Sequence, residues 1–226
     1  MDIDLLVAGG SVMRAYEAGP PTGTPVIVAH ELFGVNPEIR SFVDALAQAG
    51  HRAIAPEFYH RWSPAGHWLA RDDAGRTEGF SLLHRIDRQT ALLDVDACLT
   101  HLGPDAALVG FSAGGHLAYF AACSRPIRRT AVLYGGWLSS TDIPLSRPQP
   151  TLSLTLGISG ELLYLVGDAD HLIDADEVAR IRAALADRGE VVTLPGAAHA
   201  FFWPNTPSYD ANARDEAWKR LRAFLA

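Results

Sequence analysis

Gly110-Phe111-Ser112-Ala113-Gly114 sets a serine between two glycines in the spacing G-x-S-x-G. The chemistry such a pentapeptide can host is nucleophilic attack by the serine hydroxyl. Serine is a poor nucleophile at neutral pH, so a base must take its proton. Histidine has the right intrinsic pKa for that task. The imidazole then needs an acid that fixes its tautomer and offsets its charge. Of the nine histidines, His199 is the expected base, because Pro195-Gly196-Ala197-Ala198 before it can bend a loop back. The acid is expected between serine and histidine in the chain. Asp168 and Asp170 both qualify. Asp168 directly follows Gly167 and can cap the turn, while Asp170 reaches further out and is the preferred acid. His116 is expected to pack or be solvated; His51, His84 and His101 read as surface positions, and His60 and His67 as loop residues. A metal-assisted chemistry through His30, Glu31, His60 or His171 is a weaker alternative, since His30-Glu31 lacks the spacing of H-E-x-x-H. No metal or cofactor is expected.

These residues need elements that converge on one edge. The apolar run 106–109 reads as a strand and the alanine-rich run 116–123 as a helix, which is the setting G-x-S-x-G requires. Residues 26–29 form another continuous apolar run, as in a strand covered on both faces. Strands are also expected at 52–56, 130–134, 161–166 and 190–194, and β-prone runs at 3–7 and 11–17 flank Gly9-Gly10 as a hairpin. Helices are expected at 37–50, 82–102, 174–188 and 208–225. Strands alternating with helices give an α/β fold with a mostly parallel sheet covered on both faces. Glu31, Ser112, Asp170 and His199 all follow strands, so the topology gathers them at the carboxyl edge. Residues 57–79 have little periodicity and are expected to be an active-site loop or lid. No element is assigned at 137–160.

The chain of 226 residues is 48% hydrophobic and 20% charged, with net charge −7. That length suits one domain, 1–226, able to bury a large core. The acidic balance disfavours a nucleic-acid or anionic membrane surface. No apolar run reaches membrane-span length, and Met1-Asp2-Ile3-Asp4 lacks a basic leader. Cys98 and Cys123 read as reduced structural thiols. A cytoplasmic protein, monomer or homodimer, is expected.

His30-Glu31-Leu32-Phe33-Gly34-Val35-Asn36, Ala55-Pro56-Glu57-Phe58-Tyr59, Gly110-Phe111-Ser112-Ala113-Gly114-Gly115, Gly167-Asp168-Ala169-Asp170 and Gly196-Ala197-Ala198-His199-Ala200-Phe201 together resemble the dienelactone hydrolase family of α/β-hydrolases. The C-terminal Ser208-Tyr209-Asp210-Ala211 and Ala217-Trp218 extend the likeness. The resemblance implies acyl transfer to water through an acyl-enzyme, with the acid at Asp170. It implies an oxyanion hole from the backbone N–H groups of Leu32 and Ala113. It also implies a role for Glu31, which in family members with a cysteine nucleophile helps deprotonate the thiol. Here Ser112 stands in place of that cysteine. Glu31 is therefore expected to accept a hydrogen bond from Ser112 or to shape the acyl pocket. Members that take anionic lactones carry an arginine soon after the histidine, where this chain has Phe201-Phe202-Trp203-Pro204. An apolar pocket touched by Phe33, Tyr59 and Trp203 is the expectation. The expected activity is hydrolysis of small esters or lactones by a dienelactone hydrolase-like carboxylesterase. Alternatives are a true carboxymethylenebutenolidase acting on anionic lactones and, further off, a non-catalytic binding protein on the same fold.

Overall fold

The computed structural model describes residues 1–226. Eight strands form one sheet: β1 Asp2–Leu6, β2 Val12–Ala18, β3 Thr24–Ala29, β4 His51–Pro56, β5 Ala107–Phe111, β6 Arg129–Leu133, β7 Glu161–Gly167 and β8 Gly189–Leu194. Six α-helices accompany them: α1 Pro37–Gln48, α2 Asp73–Leu83, α3 Arg88–Leu102, α4 Ala113–Ser124, α5 Ala175–Leu185 and α6 Ala211–Leu225. The strand order is β1-β2-β4-β3-β5-β6-β7-β8. β1 and β2 form the expected antiparallel hairpin, β2 pairs antiparallel with β4, and β3 through β8 run parallel. The Val26-Ile27-Val28-Ala29 run is fully buried in β3, and every residue of β5 is buried. Strands this apolar on both faces are what two covering helical layers demand. α1 and α6 share one layer, where Phe42 meets Trp218. α3 and α4 pack together on the other, joined to α5 through a 3-10 turn at Thr151–Gly157. No helix is long and apolar enough to cross a membrane.

Four expectations are corrected. The stretch 82–102 is two helices rather than one. α2 ends at Leu83, and Asp87 starts α3 by accepting from Thr90 N at 2.8 Å while Thr90 Oγ1 takes the Asp87 N–H at 3.2 Å. That reciprocal cap outweighs the continuous apolar stripe that suggested one helix. The stretch 57–79 is likewise not all loop. Asp72 accepts from Gly75 N at 2.8 Å and opens α2 inside it. Its first half is pinned: Glu57 accepts the Gly66 N–H, and Arg61 grips Asp94 of α3 with two bonds of 2.7 and 2.8 Å. His60, expected to be a solvated loop residue, is half-buried, and its side chain, 3% exposed, also meets Asp94 at 3.1 Å. His51 is buried, contrary to its reading as a surface position. The unassigned 137–160 region holds 3-10 turns at Pro144–Ser146 and Thr151–Gly157.

Candidate active site

β5 runs straight into α4, and Ser112 is the single residue at the corner. Its φ is 51°. A non-glycine residue held in the left-handed region costs about 1–3 kcal/mol, offset by the packing around it. The corner is tight because the helix and two strands nearly touch. A Cβ at Gly114 would collide with the carbonyl oxygens of Ala29 and His30, and one at Gly110 with the carbonyl of Gly114. Those atoms are backbone and cannot step aside. Gly114→Ala is therefore expected to destabilise the protein by at least about 3 kcal/mol, the upper range for overpacking. Denaturant unfolding of soluble variant measures this, and an unchanged midpoint would refute the packing argument.

Ser112, Asp170 and His199 come together at the carboxyl edge, from the ends of β5, β7 and β8. Ser112 Oγ lies 2.9 Å from His199 Nε2, and His199 Nδ1 lies 2.8 Å from Asp170 Oδ2. Asp170 is buried, and its other oxygen accepts the Leu172 N–H at 2.9 Å. Asp168 instead accepts the Gly196 N–H at 2.6 Å and so ties down the loop that carries His199. The two aspartates, between which sequence alone left the choice open, thus take different partners. Tyr134, at a φ of 43°, stands edge-on to the His199 ring with centroids 5.0 Å apart. It is fully buried and was not foreseen; the only signal was its place between strand β6 and Gly135-Gly136.

The Ala113 N–H is the first of α4 and so has no partner within the helix. Leu32 sits in the turn after β3. That turn is backed by α2, where Gly79 leaves room for the Leu32 side chain and carbonyl. Tyr59 Oη donates to the Leu32 carbonyl at 3.2 Å. Tyr59 is therefore buried beneath the turn rather than open to a ligand.

Glu31 is placed differently from expectation. It makes no hydrogen bond to Ser112. One carboxylate oxygen forms an ion pair with Arg71, and the other accepts from Trp203 Nε1 at 3.1 Å. Arg71 also reaches Glu38 at 2.9 Å, and its guanidinium lies over the Phe33 ring at 4.9 Å. Burial is the main influence on Glu31 and raises its pKa, with Arg71 pulling it back. Trp203, expected to touch substrate, is buried with its N–H committed to Glu31 and its ring against Phe111. Arg71 is the site residue that sequence reasoning could not place.

Of the histidines named for a metal, His30 and His60 are engaged elsewhere and His171 is exposed; His116, on α4, is buried like His30. His30 Nδ1 donates to the Glu31 carbonyl at 2.6 Å, and its Nε2 accepts the Phe58 N–H at 3.2 Å. His116 spans Gly136 O and Thr151 Oγ1, both at 2.8 Å. Burial lowers both pKa values to about 4. The unfolded chain takes up these protons near pH 6.5, whereas the folded one resists them until about pH 4. Stability is thus expected to be lost as pH falls through that window, by about 3 kcal/mol for each ring. Urea unfolding between pH 7 and pH 4.5 checks this, with His116→Gln expected to lose a clear part of the slope. An identical slope in the variant would refute it.

A model described as the dienelactone hydrolase family matches residues 13–226. A chain from Escherichia coli (strain K12), provisionally named a carboxymethylenebutenolidase, is 30% identical over 238 residues, covering 96% of this chain and 86% of that one. A crystal structure from Klebsiella pneumoniae, provisionally described as a dienelactone hydrolase, superposes with TM-score 0.84 at 27% identity, covering 100% of this chain and 98% of that one. The Pyrococcus furiosus esterase Pf2001 shares the fold alone, with TM-score 0.70 at 15% identity over 100% and 91% of the two chains. The fold is thus that of the α/β-hydrolases, and the chain belongs to the dienelactone hydrolase family of carboxylic ester hydrolases.

Proposed function

We propose that the protein hydrolyses small, uncharged esters or lactones through a covalent acyl-enzyme on Ser112. The observation that carries this reading is the unbroken chain of contacts Ser112 Oγ, His199, Asp170, with spacings of 2.9 and 2.8 Å. His199 Nε2 takes the hydroxyl proton as Ser112 Oγ bonds to the carbonyl carbon. Asp170 stabilises the imidazolium and fixes Nδ1–H as the donor. The oxyanion accepts from the N–H groups of Leu32 and Ala113, which are rigid backbone and need no reorganisation. The C–O bond then breaks, His199 returns the proton to the departing alkoxide, and water repeats the cycle on the acyl group. Glu31, held by Arg71 and Trp203, acts as an anchor for the Leu32 turn rather than a proton carrier. Phe33 and the exposed Phe80, which meets Trp137 edge-on at 6.4 Å, supply apolar walls.

Substrate charge follows from Arg71. Two carboxylates, Glu31 and Glu38, already neutralise it, so it presents no free cation to an anionic lactone. A substrate carboxylate displacing Glu38 from Arg71 would give the carboxymethylenebutenolidase reading suggested by the relatives' names. Comparing kcat/KM for a neutral short-chain ester and an anionic dienelactone separates the two. The ester is expected to be favoured at least about tenfold; the reverse preference would transfer the assignment. A fluorophosphonate should label the peptide that contains Ser112. Labelling elsewhere, or none, would remove the nucleophile. The free thiols Cys98 and Cys123 suit a reducing compartment, which we take to be the cytoplasm.

A further inference from the structure

A cleft of about 480 Å³ lies apart from Ser112. It opens on the face covered by α1 and α6 and is floored by the turn at residues 202–205. Well-formed pockets of this size are where proteins usually hold small ligands, so a cleft separate from the triad calls for an occupant of its own.

Part of the wall is aromatic. Phe42 stands edge-on to Phe202 and to Trp218, each with centroids 5.6 Å apart. Two cations line it, Arg214 and Arg222. The Arg214 guanidinium is 5.7 Å from the Phe202 ring centre, and its Nε is buried with no protein partner. Its ion pair is with the adjacent, solvent-exposed Asp215 at 3.1 Å, a contact worth little. Glu38 is the one acid lining the cleft, and it is occupied by Arg71 and by Asn36. In a chain of net charge −7 the cleft is thus a local cationic, partly aromatic-walled site. That combination fits a flat apolar body carrying one negative charge.

We propose that this cleft is a second ligand site that binds a small aromatic carboxylate, its ring laid against Trp218 and the edges of Phe42 and Phe202 that line the cleft, and its acid group on Arg214 and Arg222. A carboxylic acid is also what an ester hydrolase releases, so the occupant belongs to the chemical class of the product. Glu38 and Trp203 line the cleft and also hold the Glu31–Arg71 pair. Occupancy therefore bears on the turn that carries Leu32, and turnover responds to it.

The test is calorimetric titration with 2-naphthoate, using 2-naphthamide as the uncharged control. Saturable binding is expected with the carboxylate, at least about tenfold tighter than with the amide. It is expected to persist when Ser112 carries a fluorophosphonate adduct. Arg214→Gln/Arg222→Gln, and Arg222→Gln alone on the exposed rim, are expected to weaken binding while leaving basal ester turnover unchanged. Binding abolished by the Ser112 adduct would place the ligand in the ester site and overturn the proposal. Equal affinity for the amide, or unaltered affinity in the arginine variants, would overturn it as well. A probe that failed to label Ser112 would bear on the nucleophile alone, since the arginine comparison reads the cleft independently.

Discussion

Ser112→Ala is expected to lower kcat on a chromogenic short-chain ester by about 10⁴- to 10⁶-fold while leaving the fold intact. The magnitude follows from removing the atom that forms the acyl bond. What survives is binding and the oxyanion donors, which alone still accelerate hydrolysis over water by about 10³- to 10⁴-fold. The fold should survive because alanine keeps the same backbone demands at the strained corner, where φ is 51°. The Ser112 side chain makes no cap hydrogen bond to α4, so no helix end is lost. His199→Ala should cost a similar factor, and the double variant little more than either single one. Such non-additivity is the mark of residues acting as one unit. Multiplicative losses would mean that serine and histidine act in separate steps, and undiminished activity in Ser112→Ala would end the assignment.

The route from sequence to this site was uneven, for physical reasons. Ser112, Asp170 and His199 were legible because chain order and strand ends constrain them: each follows a strand of a parallel sheet, and parallel strands end at one edge. The glycines around Ser112 were legible because a tight corner leaves no room for Cβ atoms. The choice between Asp168 and Asp170 was not local. It turns on the Gly196 N–H, contributed by the loop after β8, which captures Asp168 and leaves Asp170 for His199. The break between α2 and α3 was written in Asp87-x-x-Thr90, a cap that a continuous apolar stripe obscured. Arg71 could not be placed. Its tie to Glu31 spans 40 positions, carries no periodicity, and depends on where α2 docks.

That same pair yields the second large effect. Arg71→Ala should destabilise the protein at pH 7 by about 3–5 kcal/mol, the cost of leaving a buried charge without its counter-ion. Glu31 is only 3% exposed and would keep Trp203 Nε1 as its one polar side-chain partner. The pH dependence gives the cause away. Burial already holds the Glu31 pKa above its ordinary 4.5, and Arg71 opposes that rise. Removing Arg71 raises it further, so the folded state binds a proton that the unfolded chain releases above about pH 4.5. Stability then falls as pH climbs through that window and recovers as the carboxyl is protonated. The variant should therefore sit closest to wild type near pH 5 and furthest above pH 7, as read by denaturant midpoints. A constant deficit across that range would indicate lost packing on Phe33 instead of a stranded charge. Glu31→Gln in the Arg71→Met background should restore much of the stability, because a neutral pair has no charge to strand. Glu31→Gln alone should keep the pH profile of kcat/KM, since Glu31 anchors the Leu32 turn and carries no proton in the reaction. A shifted profile would return Glu31 to the proton-transfer path and place Arg71 as the residue that tunes it.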